Sequence, residues 1–309
     1  MKRIAFAALL LITLNQAHTA EVDQFTTRHI ELKNSKDIVN IEANRHVQES
    51  LKQLQSSGCD ENLLYTELKK GFANHKNGKL TIHMLHDKEF PRHQIALGES
   101  VYADWNRLDG YLLGRPAAAA SPLALGPLVN IDGIRVGTDK FEHIFGRGFQ
   151  YFKRFHLKER ALKSVMKYGI RGEKTIFGGN ILATGVFSYA DLAANFNGMR
   201  FWNHMLQLRP DILGDNHGPY ISCQDNQFVQ VKQIDFSHYI DESMDESINC
   251  SKFARKKSAK KFLRRVEALG YSCPMDPDKL EMMKEKYGEF SKWIINDEGI
   301  EDVSYFNEF

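Results

Sequence analysis

The chain has 309 residues, of which 42% are hydrophobic, 11% aromatic and 26% charged, with 41 Lys and Arg against 39 Asp and Glu. Twenty Phe and eleven Tyr supply ample core, which excludes collagen-like, low-complexity and wholly disordered chains. A net charge of +2 is too small to argue for a nucleic-acid partner.

Lys2 and Arg3 precede an apolar run from Ile4 to Leu14, followed by a polar, small-residue exit ending at Ala20. A basic head, a short apolar run and a small-residue exit read as a secretory signal over residues 1–20, cut after Ala20 or after Ala17. The run is far shorter than the roughly 20 residues that span a bilayer, and no later segment is long and apolar enough. The mature protein is therefore expected to be exported, periplasmic or secreted, without a transmembrane segment. Export gives Cys59, Cys223, Cys250 and Cys273 a structural reading as two disulfides. Three pairings are open. We favour one bridge among Cys223, Cys250 and Cys273, with the remaining one of these joined to Cys59. No C-x-x-C spacing suggests zinc.

In chain order, Ile38, Ile41, Val47, Leu51 and Leu54 lie near helical spacing and predict a helix over 36–57. A second short helix is expected over 61–74, and Lys79–Leu85 alternates like a strand. From Gly110 to Gly137 the chain is rich in Gly, Pro and Ala and reads as a long loop. A helix is expected from about Asp139 to Phe155, with Phe141, Ile144, Phe145, Phe149 and Phe152 on one stripe. Another follows from about Lys158 to Ile170, ended by Arg171-Gly172, with Glu173 just beyond. Thr175–Phe177 and Ile181–Phe187 flank Gly178-Gly179-Asn180 as a β-hairpin. A helix restarts at Ser188. Further on come a strand over Phe228–Ile234 and helices at about 251–269 and 277–288. The first of these carries Lys252, Arg255, Lys256, Lys257, Lys260, Lys261, Arg264 and Arg265 with no acid between them. Phe262, Val266 and Leu269 keep its core stripe, so the cations form an outer face, solvated or attracted to an anionic polymer.

The informative unit is helix, Glu173, hairpin, helix. A carboxyl at a helix C-terminus faces the negative end of the dipole, which favours its protonated form and suits a glycosidic general acid. The order helix, Glu173, hairpin and returning helix resembles the minimal core of the lysozyme superfamily. The segment Thr184-Gly185-Val186-Phe187-Ser188-Tyr189-Ala190-Asp191-Leu192 also resembles lysozyme-like enzymes of periplasmic predatory bacteria that act on deacetylated peptidoglycan. The likeness covers roughly residues 137–207. It implies an exported glycoside hydrolase cutting peptidoglycan, with Glu173 as general acid and Glu142 or Asp191 as second carboxylate. His143, Ser188, Tyr189 and Asn195 would be substrate contacts.

Each of these residues has a plainer reading. Ser188-x-x-Asp191 and Asp139-x-x-Glu142 resemble helix caps. Gly146 and Gly148 fit close packing. Tyr102, Trp105 and Tyr111 are aromatics for a sugar ring or for a core, and Glu99 is a reserve acid. No P-loop, Rossmann glycine pattern or Gly-x-Ser-x-Gly occurs. No metal or other cofactor is implied. The expected architecture is mainly helical α+β. It comprises an N-terminal helical region over 21–95, a lysozyme-like core over 96–220 and a disulfide-tied C-terminal extension over 221–309, in a monomer. Two rival functions stand beside the glycosidase: a non-catalytic cell-envelope binding protein, and a metallohydrolase built on Asp139, Glu142 and His143.

Overall fold

The computed structural model describes residues 21–110, 125–174 and 184–300. The fold is mainly helical α+β with short two-stranded ladders. Its centre is α6, Tyr189–Leu206, every residue of which is buried. Ser188 opens this helix by accepting the Asp191 N–H on its hydroxyl at 3.1 Å, the expected cap.

Antiparallel to nothing in a sheet, α6 is instead clasped by α4, a run that begins as Thr138–Glu142, widens into a π turn at His143–Arg147, continues as Gly148–Phe152 and widens again at Lys153–Leu157. The helices touch at Gly148 and Gly198. A Cβ on Gly148 would lie 2.5 Å from the Gly198 Cα, so both positions must stay bare. Gly146, by contrast, faces open space. Widening frees carbonyls from the helical ladder, and the buried Trp202 indole donates to Ile144 O and Phe145 O at 3.2 and 3.1 Å.

Around this pair pack α1 (Lys36–Gln53), α2 (Glu61–Gly71), α3 (Lys79–His86) and α5 (Leu162–Lys174). The 79–85 segment is thus a helix, not the expected strand. Leu80, Thr81 and Met84 are buried while Ile82 is exposed, which is helical spacing that a seven-residue window also lets pass as alternation. The expected 110–137 loop contains a hairpin, β1 (Leu128–Ile131) against β2 (Ile134–Gly137), turned by Asp132-Gly133 with both residues at positive φ. Residues 111–124 and Tyr111 lie outside the described residues, as does the signal segment 1–20.

Helix α5 also departs from expectation. Arg171-Gly172 does not end it, because Gly172 does not take the left-handed conformation of a C-cap, and Glu173 stands within the helix. The first arm and turn of the hairpin expected over 175–187 lie outside the described residues. Its far end, β3 (Val186–Phe187), pairs with β6 (Lys252–Phe253). β4 (Ile221–Gln224) and β5 (Gln227–Gln230) form a hairpin over Asp225-Asn226, and α7 (Lys256–Ala268) and α8 (Pro277–Tyr287) follow.

The four cysteines form two disulfides, as expected; Cys59 joins Cys223 and Cys250 joins Cys273, a choice among the three pairings that the sequence left open. The larger core surrounds α6; a smaller one gathers Val22, Phe25, Tyr102, Trp105, Phe253 and Phe262. Both draw residues from all three spans that the sequence suggested. Among the described residues no helix is long and apolar enough to cross a membrane.

Candidate functional site

Helix geometry alone gathers the polar centre. Asp139, Lys140 and His143 share one face of α4, and Asp191 and Asn195, four apart, share one face of α6. Where the faces meet, the Lys140 ammonium, fully buried, lies 2.6 Å from Asp139 Oδ2 and 2.7 Å from both Asp191 Oδ1 and Glu246 Oε1. The Ser188 hydroxyl donates to the same Glu246 oxygen at 2.8 Å. His143 bridges outward. Its Nε2 is 3.1 Å from Asp191 Oδ2 and its Nδ1 is 3.0 Å from Asn195 Oδ1. Glu173 arrives from the last described turn of α5, with a carboxylate oxygen within 4.8 Å of ligating atoms of His143 and Asp191. Glu21 adds a fifth buried carboxylate, accepting from the Thr184 hydroxyl at 2.5 Å.

Five buried carboxylates thus face two buried cations, Lys140 and His143, and protons make up the difference. Burial raises Glu173 to about 7; Asp191 pushes it further while His143 and Arg147 oppose. Burial likewise lifts Asp139 to about 7 against the pull of Lys140, and it raises Glu21 and Glu246. Asp191 goes the other way. Burial would raise it, but His143 and Lys140 hold it well below the usual carboxylate range. For His143 burial disfavours the charge, yet Asp191 outweighs that and carries the ring to about 9. Two neighbouring carboxyls with opposite protonation at neutral pH are the pairing used by acid–base hydrolases.

The sequence-predicted residues divide. Glu173, Asp191, His143 and Asn195 converge, and Ser188 supports them from the cap of α6. Glu142 does not join them. One residue before His143, it turns to the other side of α4 and accepts from the His75 backbone N–H at 3.1 Å, with its ring Nδ1 at 2.9 Å. Tyr189 is buried with its ring against Phe187. Tyr102 and Trp105 pack edge to face in the smaller core, and Glu99 is exposed on the surface.

Sequence reasoning missed Lys140, Glu246 and Glu21. For Lys140 there was a signal: Asp139, Lys140 and His143 recur on one face of a helix that is otherwise apolar. Glu246 and Glu21 had none, because their loops reach the centre only through tertiary packing.

For a metal, His143, Glu173 and Asp191 are the best-placed set, and Asn195 holding the second ring nitrogen is the support a ligating histidine needs. Asp139, Asp191 and Glu246 also converge, but the Lys140 ammonium occupies their focus. The set Asp139, Glu142 and His143 is not gathered. The sequence matches no family model, no curated protein and no solved structure.

Proposed function

We propose that the protein is an exported acid–base hydrolase of cell-wall glycan, a glycosidase cutting peptidoglycan. One observation carries the reading: two buried carboxylates, Glu173 and Asp191, meet at His143, where burial raises Glu173 to about 7 while His143 and Lys140 favour the ionised form of Asp191. Glu173 donates its proton to the leaving oxygen, and Asp191 faces the positive charge that develops on the sugar. One oxygen of each carboxylate lies within 4.8 Å of the other, nearer the roughly 5 Å of the retaining class than the roughly 6.5–9.5 Å of the inverting class. In this reading His143, clamped by Asn195, and Lys140 position Asp191 and keep it charged.

A second reading is favoured by the ligand set: His143, Glu173 and Asp191 would hold a divalent cation, which would supply an activated water. Muropeptide release from purified sacculi, native and chemically deacetylated, separates the two. The glycosidase is expected to ignore EDTA, to lose about 10²–10⁴-fold in Glu173→Gln and to lose rate as pH rises through about 7. Activity abolished by EDTA and restored by zinc would install the metal reading instead. Release unaffected by Glu173→Gln would remove Glu173 from the chemistry in either case.

A further inference from the structure

The charge of this chain is unevenly spread. Residues 255–265 hold seven Lys and Arg and no acid, so the rest of a chain that is +2 overall is net acidic by five. These cations lie on and just before α7, and the orientation of that helix is fixed. Ala259, Phe262 and Val266 are buried, and the Phe262 ring packs against Phe25, Tyr102 and Phe253. The basic face is therefore held outward by the core behind it.

Three of the seven have acidic partners. Lys261 donates to Asp109 at 2.5 Å, and Arg264 and Arg265 share Asp104 at 2.6 and 2.9 Å. The other four, Arg255, Lys256, Lys257 and Lys260, are exposed and form no ion pair among the described residues. Their placement works against the helix. Lys256 and Lys260 repel at i,i+4 and Lys257 and Lys260 at i,i+3, and the first turn holds cations where the dipole favours anions. A run that opposes local stability on a rigid, solvent-facing surface is the kind of local conflict that marks a functional surface, here one open to a counter-charge from outside the chain.

The run also adjoins the polar centre. It starts two residues after β6, whose partner β3 leads directly into Ser188 and Asp191, and Ala254 N–H donates to Gly185 O at 2.9 Å. Lys261 and Ser258 both hold Asp109, next to Gly110, which touches Thr184. The basic helix is thus tied through β6, β3 and Asp109 to the segment that enters the centre.

We infer that Arg255, Lys256, Lys257 and Lys260 form a docking surface for the carboxylates of peptidoglycan, anchoring the polymer beside the centre. This rests on the cell-wall reading proposed above. The test is co-sedimentation with purified sacculi in the Glu173→Gln background, with and without Arg255→Gln, Lys256→Gln, Lys257→Gln and Lys260→Gln together. Four rim cations at a few tenths of a kcal/mol each predict binding weaker by on the order of tenfold to thirtyfold. The salt dependence of binding should flatten, and the thermal midpoint should be unchanged or higher. Binding that survives the fourfold substitution overturns the proposal. So does preference of the parent protein for phosphatidylglycerol vesicles over sacculi, which would assign the surface to a membrane, and so does absence of sacculus binding at low salt. Failure of the catalytic reading shows differently, as sacculi that are bound but never cut by the unsubstituted protein.

Discussion

Replacing Lys140 by Met keeps the length of the side chain and removes its charge. In the folded protein the ammonium has no exposure and lies 2.6–2.7 Å from Asp139, Asp191 and Glu246. Removing one partner of a buried ionic group costs about 3–5 kcal/mol, and three carboxylates sharing one cation place this case toward the upper end. That is a large part of the ~5–15 kcal/mol that holds a typical protein folded. The cost should also depend on pH. Without Lys140 the native cluster must take up at least one more proton, so the loss grows by about 1.4 kcal/mol per pH unit above the ordinary carboxylate pKa. Urea unfolding at pH 5, 6, 7 and 8 measures it. The loss should shrink at pH 5 toward the ~1.5 kcal/mol of a volume-conserving swap and exceed about 3 kcal/mol at pH 7 and above. A loss that is the same at all four pH values would mean that Lys140 contributes packing alone, and the charge argument for the centre would fall with it.

The parent protein should itself be most stable on the acid side of neutrality. Glu173 and Asp139 have native values of about 7 against ordinary values of 4.5 and 3.8, so their contribution is complete below those ordinary values and is lost as pH rises through about 7. His143, at about 9, loses its contribution between about 6.5 and 9, while Asp191 contributes above its ordinary 3.8. A thermal midpoint that rises steadily from pH 5 to pH 8 would contradict these assignments. Gly198→Ala should destabilise by about 1–3 kcal/mol in chemical unfolding despite alanine's better helix propensity, because the new methyl would meet Gly148 Cα at 2.8 Å, and backbone cannot yield. A stabilised variant would show that the helices can part. Replacing Cys250 and Cys273 by Ala should cost about 3 kcal/mol, and replacing Cys59 and Cys223 about 5, since the bridges close chain separations of 23 and 164 residues. A reversed order in urea would mean that loop entropy does not govern them.

Much of the helical layout was legible in the sequence because apolar spacing is a local signal. Phe141, Ile144, Phe145, Phe149 and Phe152 mark α4, and Ser188 marks the start of α6. The Asp132-Gly133 hairpin turn was also a local signal, obscured by the surrounding Gly- and Pro-rich composition. The centre was legible where one helix supplied two members, as with Asp191 and Asn195. It was not where a member came from a distant loop: the contact between Lys140 and Glu246 spans 106 residues and leaves no periodicity. Glu142 and His143 show the limit of spacing arguments. Adjacent positions on a helix differ by about 100° in direction, so one of them faces the centre and the other His75.

Because every residue of α6 is buried, the amides around Asp191 and Asn195 should reach solvent only when the whole domain opens, which places them among the slowest to exchange hydrogen. Proteins usually mount reactive groups on tolerant loops above a rigid frame. Here the frame itself, α4 and α6, carries the polar centre, so a substitution that retunes Asp191 or His143 also alters the stability of the fold. Tolerated variation is expected in the surrounding chain, while the centre itself stays fixed.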